Sequence, residues 1–346
     1  MMNGEYKTTE IVTTTLIVER RYMFNFTVVD VERRPSVIET LAPLSQYGNV
    51  TYIDPDDREK ILATLPDTDV FIIRLYPTDR DLLSRAPRLK AVVKAGVGVD
   101  HIDVAAATEM GIHVTISLGN YISVAEAAVL LMLSVSRNLI FLNKNPKPGS
   151  SKVGKELYAK TLGLVGYGRI GKHVADIATG FGMKVIIYDP YVNEQVQKNT
   201  PYPFVSLQDV LREGDFISLH CPATPETHHL IGEKELAAMK KDAILVNTAR
   251  GAVIDEAALY RALRDNVIAG AGLDVVEHEP LTADNPLLTL ENVVVTPHKL
   301  IQSVDSDRRQ TGSIVASAIA YSKGLIPDES INKDKIAPEN DRMKRK

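Results

Sequence analysis

A glycine motif at positions 166–171 constrains the fold of this chain more than any other stretch of its sequence. The motif reads Gly-Tyr-Gly-Arg-Ile-Gly and lies between a short apolar run at 162–165 and a helical stretch at 172–180. A second apolar run at 185–188 ends at Asp189. Glycines at Gly166, Gly168 and Gly171 permit a tight turn, close backbone approach to a pyrophosphate and close helix packing. The helix N-terminus favours phosphate, so this context predicts a dinucleotide-binding unit.

Asp189 determines which dinucleotide this unit is expected to bind. A carboxylate at the end of the second strand accepts hydrogen bonds from ribose hydroxyls and repels a 2′-phosphate. Neither Pro190 nor Tyr191 could hold such a phosphate, so the sequence favours NAD over NADP. The alternative is a glycine-rich turn in another kind of α/β protein, and the complete strand–helix–strand context makes it the less favoured interpretation.

Composition excludes several other classes of function. The 40 basic residues are balanced by 44 acidic ones, so a nucleic-acid partner is not expected. Cys221 is the only cysteine, which excludes an intrachain disulfide. The apolar stretches are too short to cross a bilayer and no signal-peptide core is present, so we expect a cytoplasmic protein without a membrane partner.

Short apolar runs alternate with helical stretches along most of the 346 residues, which predicts parallel sheets with helices on both faces. We expect an α/β protein of two Rossmann-like, doubly wound domains. A nucleotide domain at 121–299 is inserted into a flavodoxin-like substrate domain at 23–120 and 300–330. Residues 1–22 are interpreted as an N-terminal extension, and residues 331–346 as a charged, solvated or disordered tail. Ser123 and Glu126 have the spacing of a capping box at the start of a long helix.

Three chemically useful side chains follow three consecutive predicted strands of the nucleotide domain: Arg250, Glu279 and His298. Ligands bind at the carboxyl ends of strands in open α/β sheets. Arg250 can bind a substrate carboxylate and polarise its carbonyl, His298 can exchange a proton with the reacting oxygen, and Glu279 can orient the imidazole. Taken singly, each residue more commonly has a structural role. Together, beside a dinucleotide site, they predict hydride transfer to a 2-keto acid.

The chain resembles the D-2-hydroxyacid dehydrogenase family from about residue 26 to 325. The matching motifs are AGVGVD (95–100), SVAE (123–126), GYGRIG (166–171), LHCPATPETHHLI (219–231), NTARG (247–251), AGLDVVEHEP (271–280) and TPH (296–298). The resemblance implies a homodimer formed through the nucleotide domain and its first helix. It also implies the catalytic set Arg250, Glu279 and His298, with Val97 and Gly98 helping Arg250 to bind the substrate carboxylate. The NAD(H) contacts that it implies are Gly166, Gly168, Arg169, Ile170, Gly171, Asp189, His220, Cys221, Pro222, Thr248, Ala249, Asp274 and His298.

Within the family, the sequence is most similar to phosphoglycerate dehydrogenases, and Arg74 could meet a substrate phosphate. However, Tyr76-Pro77-Thr78 stands where the family often has a lysine, and no regulatory domain is expected after residue 325. Glyoxylate or hydroxypyruvate reduction is therefore the alternative. An NAD-gated, corepressor-like binding protein is the alternative from another class.

Two further features of the sequence bear on the site. Lys299-Leu300-Ile301 replaces a small, glycine-containing stretch that usually follows the catalytic histidine, so the pocket is expected to differ there. The remaining histidines show no metal-ligand spacing, and no metal is predicted. The histidines interpreted in this way as structural or surface residues are His113, His173, His228, His229 and His278.

Overall fold

The computed structural model describes residues 23–31, 33–149 and 151–344, so the expected extension at 1–22 lies outside the described residues. Within these ranges the first sheet has five strands in the order β2-β1-β3-β4-β5. They are β1 (Phe24–Val29), β2 (Gly48–Ile53), β3 (Val70–Ile73), β4 (Ala91–Lys94) and β5 (His113–Ile116). This strand order is that of flavodoxin-like folds.

The second sheet has six strands in the order β11-β10-β9-β8-β6-β7. They are β6 (Thr161–Val165), β7 (Lys184–Tyr188), β8 (Phe216–Leu219), β9 (Ile244–Asn247), β10 (Gly270–Leu273) and β11 (Val293–Val295). All strand pairs within the two sheets are parallel. The predicted fold class, two Rossmann-like α/β units, is confirmed.

Helices connect the strands and cover both faces of each sheet. Those of the first half are α1 (Pro35–Leu41), α2 (Arg58–Thr64), α3 (Arg80–Ser84), α4 (Val104–Glu109), α5 (Tyr121–Ser136) and α6 (Leu139–Lys144). Those of the second half are α7 (Arg169–Gly180), α8 (Glu194–Lys198), α9 (Leu207–Glu213), α10 (Glu233–Ala238), α11 (Glu256–Arg264) and α12 (Val304–Ser322). Because most strands are buried on both faces, they have near-continuous apolar sequences.

Two long helices fix how the chain passes between the sheets. Residues of α5 pack with Leu162 and Leu164 of the second sheet. Residues of α12, including Ile314 and Tyr321, pack with Phe26 of the first sheet. The C-terminal part of the chain therefore returns to the sheet on which the N-terminal part began. Among the helices of the described residues, none is sufficiently long and apolar to span a membrane.

The predicted capping box at the start of α5 is wrong. The helix begins at Tyr121, and its N-cap residue Asn120 makes no capping hydrogen bond through its side chain. Ser123 lies inside the first turn, where its hydroxyl is 3.2 Å from the hydroxyl of Ser303 before α12. The serine thus joins the two long helices and does not begin one of them.

The predicted solvated tail is also wrong for residues 331–344, which pack against β5. Ser330 forms an antiparallel bridge with Thr115, and the amide of Ile331 donates to the carbonyl of Val114 over 2.9 Å. The Val114 amide donates to Oδ1 of Asn332 over 2.8 Å. We call residues 329–344 the edge segment, because they cover the open edge of the first sheet. Charged composition is a poor guide here, because polar groups of this segment satisfy backbone atoms at the edge of the sheet.

A buried hydrogen bond between side chains anchors the far end of the edge segment. Nε2 of His113 lies 3.1 Å from Oδ1 of Asp341, and its Nδ1 lies 3.1 Å from the hydroxyl of Ser330. His113 is fully buried and Asp341 is 5% exposed. The guanidinium of Arg342 also donates to the carbonyls of Met110 and Ala86, over 2.8 and 2.7 Å.

Candidate active site

The glycine motif forms the floor of a cavity of about 510 Å³ in the nucleotide domain. Gly166 has a φ of 99°, and a Cβ there would lie 2.8 Å from the backbone nitrogen of Cys221. A Cβ at Gly171 would lie 2.3 Å from the carbonyl oxygen of Gly166. A Cβ at Gly168, in contrast, would meet no atom within 4 Å. Close packing therefore requires glycine at Gly166 and Gly171, whereas Gly168 faces open space at the start of α7.

The start of α7 is chemically suited to a pyrophosphate. Gly168 is its N-cap, and glycine has no side chain that could cap the backbone N–H groups of the first turn. Those backbone N–H groups and the positive end of the helix dipole are therefore available to an anion. Asp189 lines the same cavity, and its carboxylate accepts from the amides of Tyr167 (2.8 Å) and Tyr191 (2.9 Å). The carboxylate is thus held in a fixed position where a ribose is expected.

The second wall of this cavity holds the predicted residues His220, Cys221 and Pro222. Burial lowers the pKa of His220 to about 3 and raises the pKa of the Cys221 thiol to about 11, so both side chains are neutral. Nδ1 of His220 and the hydroxyl of Thr248 are buried and lack hydrogen-bond partners within the described part of the chain. Unpaired buried polar atoms suit the polar groups of a ligand. The residues present therefore fit a dinucleotide.

His298 and Glu279 form the predicted pair. Nδ1 of His298 lies 2.9 Å from Oε2 of Glu279, although the two residues follow different strands, β11 and β10. His298 has a φ of 53°, in the left-handed region that non-glycine residues seldom adopt. Both side chains are partly exposed, with 28% and 37% of their surfaces accessible. Because Glu279 occupies Nδ1, Nε2 is the ring nitrogen that can meet a substrate.

Asp274 holds the turn that carries His298. Its Oδ1 accepts from the hydroxyl of Thr296 (2.7 Å) and from the amides of Lys299 and Leu300 (both 3.1 Å). The residue is 1% exposed, and burial raises the pKa of its carboxyl. A direct cofactor contact by Asp274 stays a prediction, while its observed bonds stabilise the turn that carries His298.

Arg250 crosses from the nucleotide domain to the first sheet. Its Nε donates to Oδ2 of Asp100 over 3.1 Å, and its Nη1 donates to the carbonyl of Ala249 over 2.8 Å. A Cβ at Gly98 would lie only 1.6 Å from Nη2 of Arg250. Glycine at this position therefore allows the guanidinium to lie directly on the turn after β4.

The predicted substrate residues meet in a cavity of about 110 Å³ between the two domains. Its lining includes Arg74, Val97, Gly98, Arg250 and His298. Glu279 does not line this cavity, but it lines the adjoining one together with Arg74 and His298. The sequence thus predicted a set of residues that the fold brings together.

Lys94 lines the same cavity and was missed by the sequence analysis. It is 3% exposed, and its Nζ donates to the carbonyl of Ala95 over 2.8 Å. Burial, together with the positive charges of Arg250 and Arg74, lowers its pKa to about 7. The available signal was a single cationic residue ending an otherwise apolar strand.

Asn120 and Asp100 were also missed. The Oδ1 atom of Asn120 is buried in the lining of this cavity without a partner among the described residues. Asp100 pairs with Arg250, as described above. Because Asp100 and Arg250 are 150 positions apart in the chain, their pairing is visible only in the folded structure.

The fold and this site define a dinucleotide-dependent dehydrogenase of small acids, and comparison with known proteins gives its family. Residues 129–299 match the family model described as D-isomer specific 2-hydroxyacid dehydrogenase, NAD binding domain. A glyoxylate reductase from Korarchaeum cryptofilum is 40% identical, over 82% of this chain and 88% of the relative. The chain therefore belongs to the D-isomer specific 2-hydroxyacid dehydrogenase family, and it is an NAD-dependent oxidoreductase.

Other relatives have different substrate names. A D-3-phosphoglycerate dehydrogenase from Methanocaldococcus jannaschii is 42% identical over 86% of this chain, which spans 58% of the relative's length. The solved structure of D-lactate dehydrogenase from Aquifex aeolicus, complexed with NAD and lactic acid, has a TM-score of 0.75 and 33% identity. That similarity covers 87% of this chain and 96% of the other. The resemblance inferred from the motifs is confirmed at the level of the family.

Proposed function

We propose that this enzyme interconverts a 2-keto acid and an (R)-2-hydroxy acid that carries a second anionic group, as D-3-phosphoglycerate does. The observation that carries the proposal is the placement of Arg74 and Lys94 in the same small cavity as Arg250 and His298. One guanidinium is sufficient to bind the carboxylate of a simple keto acid. Two further cationic side chains support a substrate with an additional negative charge.

The roles of the residues follow from their positions. Arg250 binds the substrate carboxylate and polarises the keto oxygen, with the backbone at Val97 and Gly98 on the other side. When NAD(H) is bound, its nicotinamide supplies or accepts the hydride. His298 delivers a proton from Nε2 to the developing alkoxide and accepts it in the reverse direction. Glu279 keeps the imidazole oriented through Nδ1.

The cofactor is proposed to lie along the larger cavity of the nucleotide domain. The start of α7, with Arg169 and Ile170, would bind the pyrophosphate, and Asp189 the adenosine ribose. Thr248, Ala249 and Asp274 would meet the part of the dinucleotide nearest to His298. Support comes from the open space at Gly168 and the unpaired Thr248 hydroxyl.

Glyoxylate or hydroxypyruvate reduction is a second candidate function. The substrate cavity is small, about 110 Å³, which favours a short acid. The relative of which this chain covers 88% is a glyoxylate reductase. In this alternative Arg74 and Lys94 would act mainly by raising the local positive potential.

Oxidation of NADH with four keto acids separates these candidates: 3-phosphohydroxypyruvate, hydroxypyruvate, glyoxylate and pyruvate. We expect the highest kcat/KM with 3-phosphohydroxypyruvate. Preference for an unphosphorylated acid would instead identify a glyoxylate or hydroxypyruvate reductase. Binding of NADH without turnover of any acid would favour the corepressor-like alternative.

The variant Arg74→Ala tests the assignment of the second anion. Loss of a charge-assisted hydrogen bond costs about 1.5–3 kcal/mol, so KM for 3-phosphohydroxypyruvate should rise about 10–150-fold. Turnover of glyoxylate should change much less. Arg80→Ala is the matched control, because Arg80 pairs with Glu109 on the surface and lies outside the cavity. Equal losses for both acids in Arg74→Ala would contradict the assignment.

A homodimer formed through the nucleotide domain and its first helix is also proposed. It is supported by apolar side chains on α5 and α6 that are 38–50% exposed: Leu130, Leu139, Ile140 and Leu142. Light scattering after size-exclusion chromatography tests this, since a single mass near 38 kDa would contradict it.

A further inference from the structure

Two histidines and a glutamate form a cluster outside the active site. His228 and His229 lie in the loop that follows β8, and Glu277 lies in the segment that follows β10. The two imidazole rings stack with their centroids 4.0 Å apart. Nε2 of His229 lies 2.6 Å from Oε1 of Glu277, and one ligand atom from each of the three residues lies within 4.8 Å of the others.

The donor atoms of this cluster suit a borderline transition metal. Zn²⁺ binds imidazole nitrogen and carboxylate oxygen at about 2.0–2.2 Å, so neighbouring donors in a tetrahedral site are about 3.4 Å apart. The donor atoms of this cluster lie within 4.8 Å of one another, a limit that exceeds the tetrahedral spacing by somewhat more than 1 Å. Rotation of the exposed His228 ring can close this difference. Two histidines and one carboxylate leave open positions, which water can fill.

Surrounding hydrogen bonds hold two of the three ligands in place. The amide of Glu256 donates to Oε2 of Glu277 over 3.3 Å, and the amide of Glu277 donates to Oε2 of Glu256 over 2.8 Å. These bonds leave Oε1 of Glu277 directed at His229. The amide of His229 donates to the carbonyl of Ala252 over 2.9 Å. Outer bonds of this kind orient ligands in metal sites.

We infer that His228, His229 and Glu277 bind one divalent transition-metal ion, of which Zn²⁺ is the type. A simple ion pair between His229 and Glu277 explains the 2.6 Å contact but gives His228 no role. The metal site uses all three residues, and binding would release any proton shared between His229 and Glu277. The sequence alone does not indicate this site, because Glu277 is remote from the two histidines in the chain.

The location of the cluster gives the ion a structural consequence. Residues Thr224, Thr227 and Leu230 of the same loop line the cofactor cavity. Glu277 precedes the catalytic Glu279 by two positions. The ion therefore connects a wall of the cofactor cavity to the segment that carries Glu279, and it stabilises both against local opening.

Calorimetric titration of the chelator-treated, full-length protein with Zn²⁺ tests this inference. We expect one ion per chain and a higher melting temperature with Zn²⁺. His228→Gln should weaken binding about tenfold or more and remove the gain in melting temperature. His228 is exposed, so the variant should fold normally.

Two controls locate the bound ion. His278 is exposed and adjacent to Glu277 in the chain but is outside the cluster, so His278→Gln should bind Zn²⁺ as the parent protein does. His298→Gln should also retain binding, since it alters only the catalytic pair. Absence of Zn²⁺ binding at about 100 µM, or loss of binding in either control equal to that in His228→Gln, would overturn the assignment.

Discussion

The position of His298 depends on Asp274, which does not itself line the smaller cavity between the domains. Its backbone is held in a left-handed conformation, and Asp274 accepts three hydrogen bonds from Thr296, Lys299 and Leu300 around it. The bulky Lys299-Leu300-Ile301 stretch is therefore accommodated by hydrogen bonds that use its backbone amides. Those bonds keep the imidazole in reach of Glu279 and of the cavity.

Replacing His298 with alanine should remove the proposed proton donor while leaving the cofactor cavity intact. Because a general acid or base contributes about 10²–10⁴-fold, kcat should fall by that factor. The Kd for NADH, followed by its fluorescence, should change little. His173→Ala, which alters a histidine remote from His298 in the chain, serves as the control and should retain activity. An unchanged kcat in His298→Ala would contradict the assigned role.

Lys94 gives the site a dependence on pH. With its pKa lowered to about 7, the ammonium is charged below that pH and becomes neutral above it. The cavity therefore loses a positive charge as pH rises through 7, and KM for a phosphorylated keto acid should rise between pH 6 and 8 relative to that of Lys94→Arg. Arginine stays charged over this range, and the comparison removes the titration of the substrate phosphate itself. Parallel pH profiles of the two proteins would contradict a role for Lys94.

At the scale of single elements, the turn between β6 and α7 illustrates how a strand end becomes a binding site. Gly166 and Gly171 bring backbone atoms to distances that a side chain would forbid. Asp189 at the end of β7 is then fixed by the amides of Tyr167 and Tyr191. The glycine spacing and the acidic residue at the end of β7 both lie within about 25 positions of the chain, so this strand–turn–helix–strand unit could be predicted from the sequence. The close approach of Gly166 to Cys221 could not, because Cys221 is distant in the chain.

The variant Asp189→Ser tests the part of this element that distinguishes the two dinucleotides. Removing the carboxylate removes its repulsion of a 2′-phosphate and its hydrogen bonds to the ribose. The ratio of kcat/KM for NADH to that for NADPH should fall about tenfold or more. Asp176→Ser, which removes a carboxylate on α7 outside the lining of the cofactor cavity, is the control. A ratio equal to that of the parent protein would exclude the ribose contact.

Elements with strong local signals were predicted from the sequence, and those determined by distant contacts were not. Buried parallel strands are recognisable in the sequence as apolar runs. The positions of Arg250, Glu279 and His298 after such strands could therefore be predicted. The capping box at Ser123 failed because that hydroxyl contacts Ser303, a partner 180 positions away. Lys94 and Asp100 escaped notice for the same reason, since only the folded chain places them beside Arg250.

At the scale of the whole molecule, the proposed substrate site exists only where the two domains meet. Asp100 and Gly98 come from the first sheet, and Arg250 from the second. The edge segment adds a second long-range connection, because Asp341 reaches back to His113 on β5. The first domain is thus assembled from the beginning and the end of the described chain.

Asp341→Ala should destabilise the first domain. It leaves the buried Nε2 of His113 without its carboxylate partner, which costs about 1–3 kcal/mol and should lower the melting temperature by several degrees. Asp334→Ala, a change at an exposed carboxylate of the same segment, should have little effect. Thermal unfolding followed by circular dichroism compares the two, and equal melting temperatures would show that the pair contributes nothing.

The cover over β5 also bears on how the protein avoids self-association through its strands. A parallel sheet that ended at β5 would present the unpaired backbone groups of Val114 and Ile116 to neighbouring chains. In this fold Val114 donates to Asn332 and accepts from Ile331, and the Ile116 amide donates to the carbonyl of Glu329. Exposed strand edges are templates for aggregation. The edge segment therefore keeps this strand edge from pairing with other chains, and conditions that release it should promote aggregation before the core unfolds.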